Sequence, residues 1–367
     1  MLQRVCLAAL LALAVSDRLV GEDVQQRVDP YWMLLHEPAV VEALQLDAAQ
    51  ARDYQTLLDR LDVEYFPLRN RQREEAYAGL LKLVEEAQME LAKILKPKQA
   101  ERLQQLQVWR LGDAAFLRES VAAKMRYTGD QRGRIERIIA DAEQAAKPLY
   151  EARNRGEPPG PIEEEYRELK AREQRDLLAV LTPGQRAIWQ DLHGAPFDVA
   201  RLGQPRFKAP EFLETGEWVN GTGGTLASLR GRVVVVHFYA CGCINCIRNY
   251  PWYRDWQERY ADQPFSLIGI HTPEVDDERR IENVRRKAAE ERLTFPILID
   301  GRNENWNAWG NSMWPSVYVI DKEGRLRHFW AGELKWQGMD GERIARDRIE
   351  ELLRETAGES RTTGASG

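Results

Sequence analysis

The stretch HFYACGCINCIRNYP, residues 237–251, places three of the four cysteines of this 367-residue chain within six positions. The residues that lead into it, GRVVVVHF, form an apolar and β-branched run that predicts a buried strand. The residues that follow, IRNYPWYRDWQERYADQ, carry polar and aromatic side chains at helical spacing and predict a helix. The cysteines therefore fall where a strand turns into a helix.

A C-x-x-C pair at the start of a helix is typical of redox chemistry. Cys243 would lie at the helix N-terminus, where free backbone amides and the helix dipole stabilise a thiolate. Cys246 follows one turn later, close enough to form a disulfide with Cys243. The pattern predicts that Cys243 is the attacking thiolate and that Cys246 is the more buried thiol, which releases the mixed disulfide.

From about residue 211 the sequence alternates between short apolar runs and amphipathic segments. The runs FSLIGIHT, FPILID, SVYVID and RLRHFWAG predict strands, and the longer segments between them predict helices. Such alternation indicates a sheet with a parallel βαβ part that is closed by a hairpin at its end. We therefore expect an α/β domain over residues 211–356, after an all-helical domain.

Residues 211–356 resemble the thioredoxin family, in its extracytoplasmic TlpA-like or redoxin branch. The resemblance is carried by GGTLASLRGRVVVVHFYA before the cysteines, by Pro251 after them, and by WPSVYVID, which begins at Trp314. It implies a thioredoxin fold with a mixed sheet flanked by helices, and a cis peptide bond before Pro315. It also implies that Trp314 and Pro315 contact an extended substrate next to Cys243.

The same resemblance implies dithiol–disulfide exchange on protein or small-molecule disulfides, without a cofactor. Such domains occur fused to membrane electron-transfer proteins, so a membrane electron donor is one expected partner. The formal net charge of −6 gives no reason to expect a nucleic-acid partner. A peroxiredoxin is excluded, because its Thr or Ser three residues before the reactive cysteine is Ala240 here.

Three positions near the cysteines depart from the family pattern. His237 stands where many thioredoxins carry a buried acid; it either relays the proton of Cys246 or is a core histidine bonded to the backbone. Gly242 replaces a tryptophan common before the first cysteine, which predicts a looser cap over the sulfurs. Asn249 replaces a glutamate, so a carboxylate proton acceptor is missing at that position.

Cys241 lies outside the C-x-x-C pair and leaves several interpretations open. With Cys243 and Cys246 it forms C-x-C-x-x-C, and His237 or His271 would complete a tetrahedral site for zinc or copper. We expect no metal ligands, because a strand end followed by a helix turn points three sulfurs in different directions. Cys241 is then a third redox thiol or a half-buried bystander.

Residues 30–195 are compatible with helix almost throughout and contain a recurring pattern. The pattern reads LDAAQ, LKPKQ, YTGDQ and LTPGQ, at residues 46–50, 95–99, 127–131 and 181–185. Each glutamine can reach back to the residue three before it, as in a capping box, which predicts four helix starts and a duplicated helical hairpin. The pattern resembles the L-T-x-x-Q motifs of Spy/CpxP-like periplasmic proteins, although only LTPGQ matches fully.

The first residues, MLQRVCLAALLALAV, combine Arg4 with an apolar run of signal-peptide length. We predict a signal peptide over residues 1–16, with cleavage as late as residue 22, and hence a periplasmic or secreted protein that spans no membrane once the signal is removed. The proline- and glycine-bearing residues 196–210 are expected to link the domains. Residues 357–367 are expected to form a disordered tail.

The sequence favours an exported thiol–disulfide oxidoreductase that acts through Cys243 and Cys246. Two alternatives from other classes remain open at this point. One is a copper or zinc chaperone that binds metal through C-x-C-x-x-C. The other is a helical chaperone or binding protein whose redoxin domain is vestigial.

Overall fold

A computed structural model describes residues 30–154 and 158–355. The predicted signal peptide and the predicted tail lie outside these residues. The α-helices of the described residues are α1 Pro30–Leu35, α2 Pro38–Ala43, α3 Ala48–Tyr65, α4 Arg73–Ile94, α5 Pro97–Leu111, α6 Glu119–Met125, α7 Gly129–Asn154, α8 Pro159–Val180, α9 Pro183–His193, α10 Ile244–Arg259, α11 Ile281–Glu290, α12 Glu304–Ala308 and α13 Gly341–Arg354. The strands are β1 Phe207–Lys208, β2 Trp218–Val219, β3 Val233–Tyr239, β4 Phe265–His271, β5 Ile297–Ile299, β6 Ser316–Ile320 and β7 Arg325–Ala331.

The described residues divide into two compact units. The helical unit comprises residues 40–45 and 95–203, and the sheet unit comprises residues 30–39, 46–94 and 204–355. The predicted fold class, helices followed by a mixed sheet flanked by helices, is confirmed. The grouping differs from the boundaries expected from the sequence, because helices α3 and α4 belong to the sheet unit rather than to the helical one.

The sheet of the described residues has the strand order β1-β7-β6-β3-β4-β5-β2. Strands β3, β4 and β5 are parallel, whereas β6 runs antiparallel to β3 and β7 antiparallel to β6. Every residue of β3 is buried, as its sequence VVVVHFY predicts for a central strand covered on both faces. On one face Val235 belongs to an apolar cluster with Trp256 and Ile349, and on the other Val236 belongs to a cluster with Trp309.

Charged side chains join the α3–α4 hairpin to the sheet. The guanidinium of Arg69 donates to the hydroxyl of Tyr318 at 3.4 Å and lies over the ring of Phe329, 4.4 Å from its centroid. Arg325 of β7 forms an ion pair with Asp59 of α3. These contacts attach the hairpin to the sheet, whereas the helical pattern of the sequence grouped it with the rest of residues 30–195.

A buried carboxylate, that of Asp62, fixes the first helix of the sheet unit and the edge strand β1 to α3 through hydrogen bonds. Asp62 is fully buried and lies 2.8 Å from Nε2 of His36, and its second oxygen accepts from the amide of Lys208 at 2.7 Å. The other ring nitrogen of His36 lies 2.8 Å from the carbonyl of Trp32. One carboxylate therefore holds three segments that are distant in sequence.

In the helical unit, the recurring glutamines bond to two helices each. The Oε1 atoms of Gln131 and Gln185 accept from the amide of the threonine three residues earlier, at 3.1 and 3.0 Å. Their Nε2 atoms donate to the last carbonyls of other helices, Gln131 to Val180 and Gln185 to Met125, both at 3.0 Å. The two side-chain amides also bond to each other.

The two earlier copies of the pattern have the same kinds of contact. Gln50 bonds to the amide of Asp47 at 3.2 Å, and Gln99 to the amide of Lys96 at 2.9 Å. The predicted helix starts are thus confirmed at all four copies. The resemblance to Spy/CpxP-like proteins remains a prediction. Of the helices that the structure describes, none has the length and apolar character needed to cross a membrane.

Removal of the buried carboxylate should destabilise the sheet unit strongly. We expect Asp62→Ala to lower the free energy of unfolding by about 3–5 kcal/mol, because it leaves His36 buried without its partner. The exposed Asp53 lies on the same helix, so Asp53→Ala should change this free energy by less than about 0.5 kcal/mol. Urea unfolding followed by tryptophan fluorescence measures both, and equal effects of the two variants would contradict the assignment.

Candidate active site

The motif cysteines lie at the junction between β3 and α10. Cys243 is the N-cap residue of α10, and its carbonyl accepts from the amide of Ile247 at 3.0 Å, so the first helical turn begins at the motif. The Cys243 side chain is partly exposed, whereas Cys246, one turn further on, is 0% exposed. The structure therefore presents one thiol at the surface and keeps the other beneath it.

The surroundings of the two thiols shift their pKa values in opposite directions. The pKa of Cys243 is lowered from 9.0 to about 7, chiefly because the thiol of Cys246 hydrogen-bonds to its sulfur and also because the amides of Cys246 and Asn245 do so. Burial raises the pKa of Cys246 far above its ordinary value. Since the thiolate is the nucleophile, only Cys243 of this pair is ready to attack near neutral pH.

The segment that precedes β6 completes the surroundings of the motif. The peptide bond between Trp314 and Pro315 is cis, as the resemblance implied. The indole of Trp314 donates to the carbonyl of Thr272 at 3.0 Å and stacks on Trp306 with a centroid distance of 4.2 Å. Trp314 and Cys243 pack against the same apolar cluster, which also contains Cys246.

Comparison with known proteins agrees with this geometry. Residues 205–329 match the AhpC/TSA family. Over 156 residues the chain is 29% identical to the thiol-disulfide oxidoreductase YkuV of Bacillus subtilis, an alignment that covers 42% of this chain and 99% of YkuV. The C-terminal domain is thioredoxin-like. The predicted family resemblance is confirmed for this domain.

Two further similarities concern the thioredoxin-like domain. The chain is 38% identical over 128 residues to protein DipZ of Mycobacterium bovis, which covers 34% of this chain but only 18% of DipZ. A solved thioredoxin-like protein in the oxidised form is 29% identical, with a TM-score of 0.37, and the match covers 41% of this chain and 98% of that protein.

His237 lies inside the thioredoxin-like domain and not in a polar network. Its ring is fully buried and contacts the rings of Tyr239, Tyr253 and Phe295, with centroids 4.8, 4.3 and 5.1 Å away. Neither ring nitrogen has a hydrogen-bond partner among the described residues. Burial lowers the pKa of His237 to about 3, so the imidazole is neutral at physiological pH. This low pKa argues against the first interpretation, a proton relay near neutral pH, and the unpartnered ring nitrogens do not match the second, a histidine bonded to the backbone.

Cys241 is buried beside a carboxylate rather than in a metal site. Its sulfur lies 3.9 Å from Oε1 of Glu278, and burial together with that negative charge raises the pKa of Cys241 to about 11. In the part of the chain that the structure describes, no three His, Cys, Asp or Glu side chains are grouped so that they could hold a metal ion. The ligand set considered for zinc or copper, with His237 or His271, is not assembled there.

Glu278 is a site residue that the sequence analysis did not single out. It is 6% exposed; Oε1 accepts from the amide of Gly242 at 2.6 Å, and Oε2 accepts from the amides of Glu274 and Val275 at 2.7 and 3.3 Å. A Cβ atom at Gly242 would lie 2.7 Å from Oε1. Gly242, which in the sequence predicted a looser cap over the sulfurs, thus makes room for the carboxylate of Glu278. Its missing side chain is the sequence signal from which this contact could have been predicted.

Asn249 ties α10 to the loop after β7. It is 1% exposed, its amide oxygen accepts from the amide of Leu334 at 2.9 Å, and its Nδ2 lies 3.4 Å from the carbonyl of Gly332 and 3.3 Å from the hydroxyl of Tyr253. These contacts give the side chain of Asn249 a structural role. An amide at position 249 supplies no carboxylate proton acceptor for Cys246, as the sequence indicated.

The lowered pKa of Cys243 should depend on the thiol of Cys246. We expect the alkylation rate of the reduced protein by iodoacetamide to rise with pH around a midpoint near 7, because the thiolate is the reacting form. Cys246→Ala should move this midpoint upward by about one unit, whereas Cys246→Ser, which keeps a hydroxyl donor, should move it less. Cys241→Ser is the matched control and should leave the midpoint unchanged. A wild-type midpoint at or above 8.5 would refute this account.

Proposed function

We propose that this chain is a thiol–disulfide oxidoreductase in which Cys243 attacks and Cys246 resolves. The observation that carries the proposal is the difference between two thiols one helical turn apart. The pKa of Cys243 is lowered to about 7 at a partly exposed helix start, whereas Cys246 is fully buried and its pKa is raised. The similarity of the domain to the thiol-disulfide oxidoreductase YkuV supports the same activity.

The exchange proceeds in two balanced steps. The thiolate of Cys243 attacks one sulfur of a substrate disulfide, so that the substrate S–S bond breaks and a mixed disulfide forms. The other substrate sulfur leaves as a thiolate, which takes up a proton. Cys246 then loses its proton and attacks the sulfur of Cys243, which releases the second substrate thiol. The substrate gains two electrons, the protein dithiol becomes a disulfide, and a dithiol reductant must restore it.

The first step also removes the obstacle to the second. While Cys243 is a thiolate, its charge is one of the causes that keep the pKa of Cys246 raised. Formation of the mixed disulfide neutralises that sulfur and ends the hydrogen bond that the Cys246 thiol donates to it. Deprotonation of Cys246 therefore becomes easier once substrate is attached, which favours resolution after attack and not before it.

We assign substrate contact to Trp314 and Pro315. The support is their position, because Trp314 packs with Cys243 on one apolar cluster and its indole is fixed by Thr272 and Trp306. A fixed aromatic ring beside a nucleophile offers apolar contact to an extended peptide at little cost in side-chain entropy. The expected substrates are therefore disulfides in protein segments that can extend along this edge.

Substitution of each cysteine should separate attack from release. We expect Cys243→Ser to lower the rate of disulfide exchange by at least about a hundredfold, because the other two cysteines of the described residues, Cys241 and Cys246, are buried. Cys246→Ser should instead accumulate mixed disulfides at Cys243, since attack still occurs and release does not. Non-reducing electrophoresis followed by mass spectrometry detects these adducts.

Cys241→Ser is the control for this experiment, because Cys241 is buried and its pKa is raised to about 11. It should keep the wild-type exchange rate and trap nothing. Adducts that form with Cys241→Ser but not with Cys246→Ser would show that Cys241 is the resolving thiol. The reduction potential of the Cys243–Cys246 pair in a glutathione series would then give the direction of electron flow, and with it the kind of electron donor.

We further propose that the protein is exported to the periplasm or secreted. The support is the sequence of residues 1–16, in which Arg4 precedes an apolar run of signal-peptide length. The protein isolated from an expressing bacterium should begin between residues 17 and 23, and replacement of two leucines of the run by arginine should keep it in the cytoplasm. An intact N-terminus on cytoplasmic protein would contradict export.

A further inference from the structure

The buried carboxylate of Glu278 couples the loop after β4 to the cysteine motif. Its two oxygens accept from the amide of Gly242 at 2.6 Å and from the amide of Glu274 at 2.7 Å. The first amide precedes Cys243, and the second belongs to the loop. Because one rigid, nearly buried carboxylate joins both amides, the backbone of Glu274 has a fixed position relative to the nucleophile.

That position places a negative charge beside the thiols. The side chain of Glu274 is exposed, and its charge raises the pKa of both Cys243 and Cys246. Exposed charges interact appreciably only within about 10 Å at 0.1 M ionic strength. Because Glu278 bridges the amides of Gly242 and Glu274 at 2.6 and 2.7 Å, the backbone of Glu274 lies within this range of the motif and of a disulfide that approaches Cys243.

The other exposed acids of this loop are compensated. Asp276 lies 3.2 Å from Arg279, and Asp277 lies 3.9 Å from Arg280. In residues 30–154 and 158–355 the carboxylate of Glu274 forms no ion pair, so no neighbouring cation neutralises its negative charge. A substrate near Cys243 thus meets an excess negative charge on this side.

We propose that Glu278 is a positioning residue that holds Glu274 beside Cys243, and that Glu274 makes the site select positively charged disulfides over anionic ones. This inference rests on the exchange activity proposed above. The expected substrates are disulfides flanked by lysine or arginine, because opposite charge favours their encounter with the thiolate and like charge disfavours anionic disulfides.

Three small disulfides that differ mainly in charge test this selectivity. The reduced full-length protein is treated with cystamine, which carries two ammonium groups, with neutral bis(2-hydroxyethyl) disulfide, and with dithiodiglycolate, which carries two carboxylates. The measured quantity is the ratio of the cystamine rate to the dithiodiglycolate rate for attack by Cys243. A changed pKa of Cys243 affects all three rates alike, so this ratio reports charge selection alone.

The reference is the same ratio measured with the uncharged thiol 2-mercaptoethanol as the attacking group. At low salt we expect the ratio for the wild-type protein to be about three to ten times this reference ratio. The excess should shrink at about 0.5 M salt, where charges are screened. Glu274→Gln should remove most of the excess, and Glu278→Gln should lower it in the same direction. The matched control is Glu282→Gln, which removes an exposed charge from the adjacent helix α11 and should leave the ratio within about twofold of wild type.

Each outcome decides one part of the proposal. A wild-type ratio equal to that of 2-mercaptoethanol, or one that Glu274→Gln leaves unchanged, overturns the selectivity. A ratio that falls in Glu274→Gln but not in folded Glu278→Gln overturns the positioning role. If Glu278→Gln does not fold, Gly242→Ala serves instead, because the added methyl would lie 2.7 Å from Oε1 and displace the carboxylate. Failure of all three disulfides to react would refute the exchange activity itself.

Discussion

The central strand β3 is buried at every position, and the geometry of the site depends on its pairing. Its last residues pair with both neighbours, Tyr239 with His271 of β4 and Phe238 with Ser316 of β6. The carboxyl end of β3 leads to the cysteines, that of β4 to the Glu278 loop, and the start of β6 follows Pro315. A shift of one residue in either pairing would turn each side chain to the opposite face and separate these parts.

The difference between the two thiols follows from the same arrangement. A strand that ends beneath the surface and a helix that begins there leave the N-cap residue partly exposed and carry the residue three positions later into the core. The free amides of the first turn then point at the sulfur of Cys243 and stabilise its charge. Cys246 lies in the apolar cluster and is disfavoured as an anion. One backbone junction thus produces both a partly exposed thiol of lowered pKa and a buried thiol of raised pKa.

The features predicted from the sequence are those that local pattern and strand order determine. Cys243 and Cys246 are adjacent to a strand–helix boundary that hydrophobicity alone indicates, and the cis bond at Pro315 came from a family resemblance. What escaped prediction depends on partners distant in the chain. Arg69 donates to the hydroxyl of Tyr318, which lies 249 residues further along the chain. The contact of Glu278 with Gly242 likewise spans 36 residues, and no periodicity records it.

Gly242 and Glu278 are best understood as one feature. Where a bulky residue precedes the first cysteine, its side chain covers the sulfurs; here the missing side chain lets a carboxylate approach the backbone to 2.6 Å. A carboxylate buried to this degree needs several donors, and it has three backbone amides, with the thiol of Cys241 3.9 Å away. Cys241 lies there as a small, polarizable group beside a buried charge. The glycine and the glutamate depend on each other: a larger residue at 242 would displace the carboxylate, and an apolar residue at 278 would leave buried amides unsatisfied.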